Sequence, residues 1–388
     1  MNHFRDLLLS LLVAMVALSS CRKEEEIIPS SRVRVGVPGR PGKIKGFFLL
    51  NEANMGSNKA TLDYYDYTTA FYTRNIYAER NPNVVKELGD VGNDLQVHGS
   101  RLYAVINVSG LIEVMDVRTA KHIGKLSIPN CRYIAFKDGF AYVSSYAGPV
   151  KIDPNARLGY VAKVDTATLK VVAECPVGYQ PEELLIHGDK LYVANSGGYR
   201  APNYDKTISI IDLKTFTEEK QVDVAINLHR LQLDNYGKIW ASSRGDYKGV
   251  PSRLFVFDPK TKRVTKTLEV GCSNMALSGD SLFVYSSEWS YLTGKNTISY
   301  TVIDTKKQEV IDRNFIKDGT DKEIQLPYGL AINSEQGELY LTDAQDYVHP
   351  GQLHCYDLKT GRRKWSVKTG DIPAHIAFTT QPLHPLHH

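Results

Sequence analysis

Seven aromatic residues, Tyr146, Tyr199, Tyr204, Tyr247, Trp289, Tyr291 and Tyr347, fall in the longest polar loops of the chain. Asn54, Asn58, Asn195, Asn203, Arg200, Arg244 and Lys248 are interspersed with them. Rigid rings beside amides and guanidiniums suit non-covalent recognition, because they offer wide contact area at low entropic cost together with directed hydrogen bonds. The expected ligand is large, flat and polar-rimmed. Tyrosine is common here, with 23 copies, so several of these rings are expected to prop up their own loops instead of meeting a ligand.

Covalent and metal chemistry find less support. There is no CxxC and no HExxH, and neither GxSxG nor SxxK with a partnered base stands in a convincing context. His98, His187, His229, His349, His354 and His375 are the histidines that a metal-dependent lactonase or lyase would draw on. His98 and His187 precede the turn glycines Gly99 and Gly188, which assigns them to turns or core. His384, His387 and His388 read as a tail, not a metal site. Cys131, Cys175, Cys272 and Cys355 are scattered, and in a domain of this size they are expected to be mostly buried thiols. A formal charge of +4 over 388 residues gives no reason to expect nucleic-acid binding. The expected role is therefore binding, not catalysis, with no cofactor and no resident metal.

What positions the loops is a repeat. Asp66, Asp116, Asp165, Asp212, Asp258, Asp304 and Asp357 each close a pair of strand-like runs at nearly even intervals. Self-similarity at that period is the mark of a β-propeller with one four-stranded blade per repeat. The cleanest copy begins at Val177. Glu183 to His187 reads as an inner strand, Gly188-Asp189 as a hairpin turn, and Leu191 to Ala194 as the second strand. Ile208 to Ile211 is the third, and Lys220 to Val224 the fourth. The first repeat lacks an inner strand, and Asp371 to Phe378 resembles the start of a blade with nothing after it. Pairing that segment beside Phe47 to Asn51 closes the ring and removes its open edges. The predicted fold is all-β, a seven-bladed β-propeller closed by its C-terminal strand, and blades added side by side accommodate the length.

Strand alternation then sorts the loops. The turns after the first and third strands lie on one face and are short, as in HGDK and DLKT. The loops after the second strands share the other face with the blade-to-blade connections, and they are long and different in every blade. The candidate aromatics, with Asn195 and Arg244, belong to this loop face. Connection residues Asn93, Arg132, Tyr179, Arg230, Asn274, Tyr328 and His375 are placed to floor a pocket there.

Leu7 to Leu18 is an apolar run of signal-peptide length, too short for a membrane span. It ends in Leu18-Ser19-Ser20-Cys21, which resembles a bacterial lipobox with Cys21 as the lipidated residue. Arg22-Lys23-Glu24-Glu25-Glu26 resembles the surface-export signal of Bacteroidota lipoproteins. The predicted organisation is a signal peptide over 1–20, a lipidated Cys and flexible tether over 21–44, the propeller over 45–380 and a tail over 381–388. Lipidation anchors a domain without spanning, so the expected location is the outer membrane, facing outward.

The run Leu191-Tyr192-Val193-Ala194-Asn195 resembles the repeat core of bacterial YVTN/YncE-type propellers, and that resemblance spans the domain. It speaks for fold and little for function. Lipobox, Cys-Arg-Lys-Glu-Glu-Glu leader, Pro/Gly tether and Tyr-rich loops together resemble the BtuG-like surface lipoproteins of Bacteroides. That resemblance implies capture of cobalamin or a related corrinoid on the loop face and transfer to a TonB-dependent BtuB-type transporter. The alternative is a surface glycan-binding lipoprotein, because aromatic platforms stack on sugars as readily as on a corrin.

Overall fold

Each of the seven period-setting aspartates ends the third strand of a sheet and accepts backbone N–H groups of the turn that follows. Thr68 N–H donates to Asp66 at 2.7 Å, Thr119 to Asp116 at 3.0 Å and Thr168 to Asp165 at 2.8 Å. Thr215 donates to Asp212 at 3.0 Å, Lys260 to Asp258 at 3.0 Å, Lys307 to Asp304 at 2.9 Å and Thr360 to Asp357 at 2.8 Å. This side-chain mimicry of a backbone turn is why aspartate recurs at the position. The computed structural model describes residues 29–84, 87–291 and 294–385.

The strands form seven antiparallel sheets arranged as a seven-bladed propeller. Blade 2 begins with the inner strand Gly92–His98, blade 3 with Cys131–Lys137 and blade 4 with Pro181–His187. Blades 5, 6 and 7 begin with Leu228–Leu233, Asn274–Ser278 and Pro327–Asn333. In blade 1 the inner strand is Pro373–Thr379, paired antiparallel to Gly46–Asn51, so the C-terminus closes the ring as expected. Gly188 takes φ 60° in the two-residue turn of blade 4, a conformation that glycine adopts without a Cβ penalty.

The core is divided among the seams between blades. Seven apolar clusters are found among the described residues, one at each seam. The closing seam, between blades 7 and 1, is the most aromatic. Phe47 meets Tyr340 at 4.8 Å between centroids, Trp365 packs on Tyr65 at 5.2 Å, and the Tyr67 and Tyr340 hydroxyls bond at 2.7 Å. All four propeller cysteines are free and buried, and burial pushes the Cys131 and Cys272 thiols up to about 12.

The structure departs from the sequence reading at both ends. Residues 31–44 are not a flexible tether. Ser31–Arg34 pairs with Phe71–Arg74 as a fifth, outermost strand of blade 1, and Val35 is buried in the closing seam. The backbone of Arg40 donates to Gln336, and Lys43 and Ile44 donate to the Glu335 carboxylate. The prolines and glycines of this stretch shape a strap along blades 1 and 7. Within the tail, Leu383 packs on the seam between blades 1 and 2, and His384 accepts from Arg80 at 2.9 Å. A one-turn helix, Ile76–Arg80, joins blades 1 and 2 and is too short to show a helical period. The signal-peptide segment, Cys21 and the Arg22 to Glu26 run lie outside the described residues.

Candidate functional site

The inner strands of blades 3, 4, 5 and 7 carry the same irregularity at their loop-face ends. In blade 3 the pairs Cys131↔Ser145 and Ile134↔Val143 leave Arg132 and Tyr133 facing Ser144 alone. Likewise Glu182 and Glu183 face Ala194, His229 and Arg230 face Ser242, and Tyr328 and Gly329 face Thr342. Such a bulge re-aims side chains and leaves a backbone group without its ladder partner. In three blades a hydroxyl opposite the bulge supplies it: Ser144 accepts from Tyr133 N–H at 3.1 Å, Ser242 from Arg230 at 2.9 Å and Thr342 from Gly329 at 2.6 Å. Ser144 and Thr342 also donate to carbonyls of the next blade, at Glu182 (2.8 Å) and Pro373 (2.5 Å). One small polar residue thus shapes the pocket floor and ties adjacent blades together.

Above this floor opens a cavity of about 750 Å³ on the loop face. Arg132, Tyr133, His229, Arg230, Tyr328 and His375 line its depth, and Tyr199, Arg244, Tyr247, Lys248, Trp289 and Tyr347 its wall and rim. Trp289 is 46% exposed. Tyr247 and Tyr347 hold left-handed backbone, φ 60° and 65°, which is unfavourable for a bulky side chain and recurs at ligand clamps.

The floor is built from ion pairs. Arg132 bonds Glu182 through Nε (3.2 Å) and Nη2 (3.1 Å), and Arg244 Nη1 reaches the same carboxylate at 3.1 Å. The Tyr146 hydroxyl donates to it as well. Burial alone would raise the Glu182 carboxyl, but the two guanidiniums hold it below the usual carboxylate range. Arg230 pairs with Glu183 at 3.3 Å, and there burial wins, pushing the Glu183 carboxyl up. Tyr133 and His229 share a bond of 2.9 Å. Burial, reinforced by the fields of Arg244, Arg230 and Arg132, pushes His229 well below the ordinary imidazole range, so its ring is neutral. Across the cavity Glu52 accepts from Tyr328 at 2.7 Å and bonds His375 at 2.9 Å.

The structure brings Tyr199, Arg244, Tyr247, Trp289, Tyr347, Arg132 and Arg230 together around the cavity, with Asn93, Asn274, Tyr328 and His375. Other sequence candidates stand elsewhere, among them Asn54, Asn58, Asn203 and Arg200. Tyr146 is buried behind Tyr199, ring to ring at 5.8 Å, and Tyr291 sits outside the lining, edge-on to both Tyr247 and Trp289 at 6.4 Å. Tyr204 is half-buried away from the lining. Asn195 is not presented to a ligand: it is fully buried, donating to Thr207 at 3.0 Å and Ser209 at 2.8 Å inside blade 4. Tyr179 stacks under Arg200 at 3.5 Å, also outside the lining. Glu52, Glu182, Glu183 and Tyr133 were missed by sequence reasoning. For Tyr133, Glu182 and Glu183 the signal was the pair of residues at the start of an inner strand opposite Ser or Ala, whereas Glu52 opens the loop after Gly46–Asn51.

No group of His, Cys, Asp or Glu suited to a metal ion occurs among the described residues. No helix of the described residues is long and apolar enough to cross a membrane.

Residues 45–379 match the family described as "Domain of unknown function (DUF5074)", and the chain belongs to that family. Among curated proteins nothing matches. Solved structures of similar fold include Kuenenia stuttgartiensis hydrazine synthase, with TM-score 0.54, 18% identity and coverage of 69% of this chain and 77% of that one. The Neurospora crassa Pan2 WD40 domain aligns with TM-score 0.50, 13% identity and coverage of 75% and 80%. The computationally designed Ika8 protein aligns with TM-score 0.50, 12% identity and coverage of 73% and 89%. At such identities the likeness is one of fold alone. Family and architecture fit a YncE-like propeller.

Proposed function

From a DUF5074 propeller with this cavity as premise, we propose that the chain captures a corrinoid, cobalamin or a relative, on its loop face. The proposal includes a lipid anchor at Cys21, an outward-facing position on the outer membrane and delivery to a TonB-dependent, BtuB-like transporter. The observation that carries it is the cavity itself, about 750 Å³ and rimmed by half-exposed rings over a polar floor. A corrin offers a broad face to Trp289, Tyr247 and Tyr347, and its amide arms match the carboxylates, tyrosines and asparagines below. The role is binding without turnover: Glu182 and Glu183 are each engaged by arginines, which suits them to holding a wall in shape.

The test is calorimetric titration with cyanocobalamin, using the chain from Pro29 onward so that the strap is kept. Saturable one-to-one binding supports the proposal. No heat and no thermal shift with cyanocobalamin, against binding of oligosaccharides, would replace it with glycan capture.

A further inference from the structure

Two guanidiniums share one carboxylate in the floor of the funnel. Glu182, with a side chain only 1% exposed, accepts from two Arg132 nitrogens at Oε2 and from Arg244 at Oε1. Arg132 is committed to it through two nitrogens, whereas Arg244 uses Nη1 alone and keeps a quarter of its side chain exposed to the cavity. One carboxylate neutralises one guanidinium, so this corner holds an excess positive charge. The other buried carboxylates are occupied elsewhere. Glu183 takes Arg230 and the Leu231 N–H, and Asp94 accepts the Leu95 and Ile134 N–H groups. Across the cavity, Glu52 serves Tyr328 and His375, and Glu288 accepts from Ser286. Of the groups that act most strongly on Arg244, Glu182 is the one carboxylate. Lys248 lines the cavity from the same loop, four residues on, and among the described residues no carboxylate pairs with its ammonium. Arg244 therefore presents uncommitted donors, backed by a second cation, to the cavity. That is the arrangement that recognises an oxyanion through charge-assisted hydrogen bonds.

We infer that Arg244 and Lys248 form a subsite for a phosphodiester group of the captured molecule, with the Arg132–Glu182 pair fixing the Arg244 guanidinium in place. The inference rests on the reading of the funnel as the ligand site and adds to it the charge class of the ligand. Cyanocobalamin carries a phosphodiester in its nucleotide loop, whereas cobinamide lacks that loop.

The experiment is a double comparison in the chain from Pro29 onward. Cyanocobalamin and dicyanocobinamide are titrated into the wild type, Arg244→Met and Lys248→Met, at low salt and at 0.5 M salt. Arg244→Met is expected to weaken cyanocobalamin by roughly 10–100-fold at low salt, in the range of a hydrogen-bonded charge. Lys248→Met, which leaves the Glu182 network intact, is expected to weaken it by roughly 2–5-fold, and high salt shrinks both effects. Dicyanocobinamide is expected to change by less than about threefold in either variant, since it offers no oxyanion for the charge to meet. Equal losses for both ligands, or none for either, would overturn the subsite. Should neither corrinoid bind the wild type, the corrinoid reading fails by itself, and dimethyl phosphate then decides the subsite. Broadening of its phosphorus resonance by the wild type but not by the two variants upholds the subsite, and no broadening removes it.

Discussion

The Ser242 hydroxyl accepts the Arg230 N–H at 2.9 Å, so a side chain on one strand completes the backbone of a bulge on its neighbour. Ser242 is fully buried, and no water can replace it cheaply. Ser242→Ala should therefore cost ~1–3 kcal/mol, the range for a buried donor left without a partner. Ser242→Thr, which keeps the hydroxyl, should recover most of the loss. Urea midpoints of the two variants check this, and equal midpoints would assign the effect to packing.

Trp289 and Tyr291 touch edge-on, yet only Trp289 lines the cavity. Trp289→Ala should weaken ligand binding by ~1–3 kcal/mol as a rim anchor. Tyr291→Ala should cost less, acting only through loss of support to Trp289 and Tyr247. Titration of both variants ranks them, and the reverse order would remove Trp289 from the site.

Tyr247 pairs a bulky side chain with φ 60°. Glycine relieves that conformation and alanine does not, so Tyr247→Gly should be more stable than Tyr247→Ala by ~1 kcal/mol. Both lose the ring, so both should bind weakly. Thermal melting separates the pair, and calorimetry shows whether the affinity loss is shared.

Acid should destabilise the fold before the aspartates titrate. Burial, aided by Arg363, pushes His354 down to about 4 from an ordinary 6.5. As pH falls between those values, the unfolded chain binds a proton that the folded chain refuses, so stability is lost. His354 contributes up to roughly 3 kcal/mol of that loss, and His229, also depressed, acts in the same direction. Denaturant titrations at pH 7, 5 and 4 should show the decline, flattened in His354→Gln. A slope unchanged by that substitution would clear His354 of the effect.

Starting the chain at Gly46 removes the Ser31–Arg34 strand and the buried Val35, and uncovers the seam on which Trp365 packs. Relative to a chain starting at Pro29, the loss should be ~2–4 kcal/mol, the scale of one or two uncovered apolar side chains. Matching melting curves would show that the strap is dispensable.

The propeller was legible because its signals are local. An aspartate bonding amides two and three residues on, and a Gly-Asp turn between alternating strands, need no knowledge of the rest of the chain. The closing strand was legible by subtraction, since a blade start at Asp371 had no blade after it. The aromatic wall followed from which loops share a face. The ionic floor did not, because Glu182 meets Arg132 and Arg244 across 50 and 62 residues of sequence. No spacing rule reports a contact made through the ring. Asn195 was misplaced for a related reason: it ends a strand that the loop face overlooks, and its amide turns back into the blade toward Ser209. The strap was misread because proline and glycine mark a linker and an irregular docked segment alike.

The strand Ser31–Arg34 enters blade 1 running away from the loop face, opposite to Phe71–Arg74. Ser31 therefore lies at the loop-face end of the blade, the side on which the funnel opens. With the anchor proposed at Cys21, about ten extended residues give a leash of at most ~36 Å. Under that proposal, such a leash would hold the mouth of the funnel within reach of the bilayer. A molecule let go from the funnel would then escape into a narrow gap above the membrane, where it meets an embedded acceptor sooner than it is diluted into the medium.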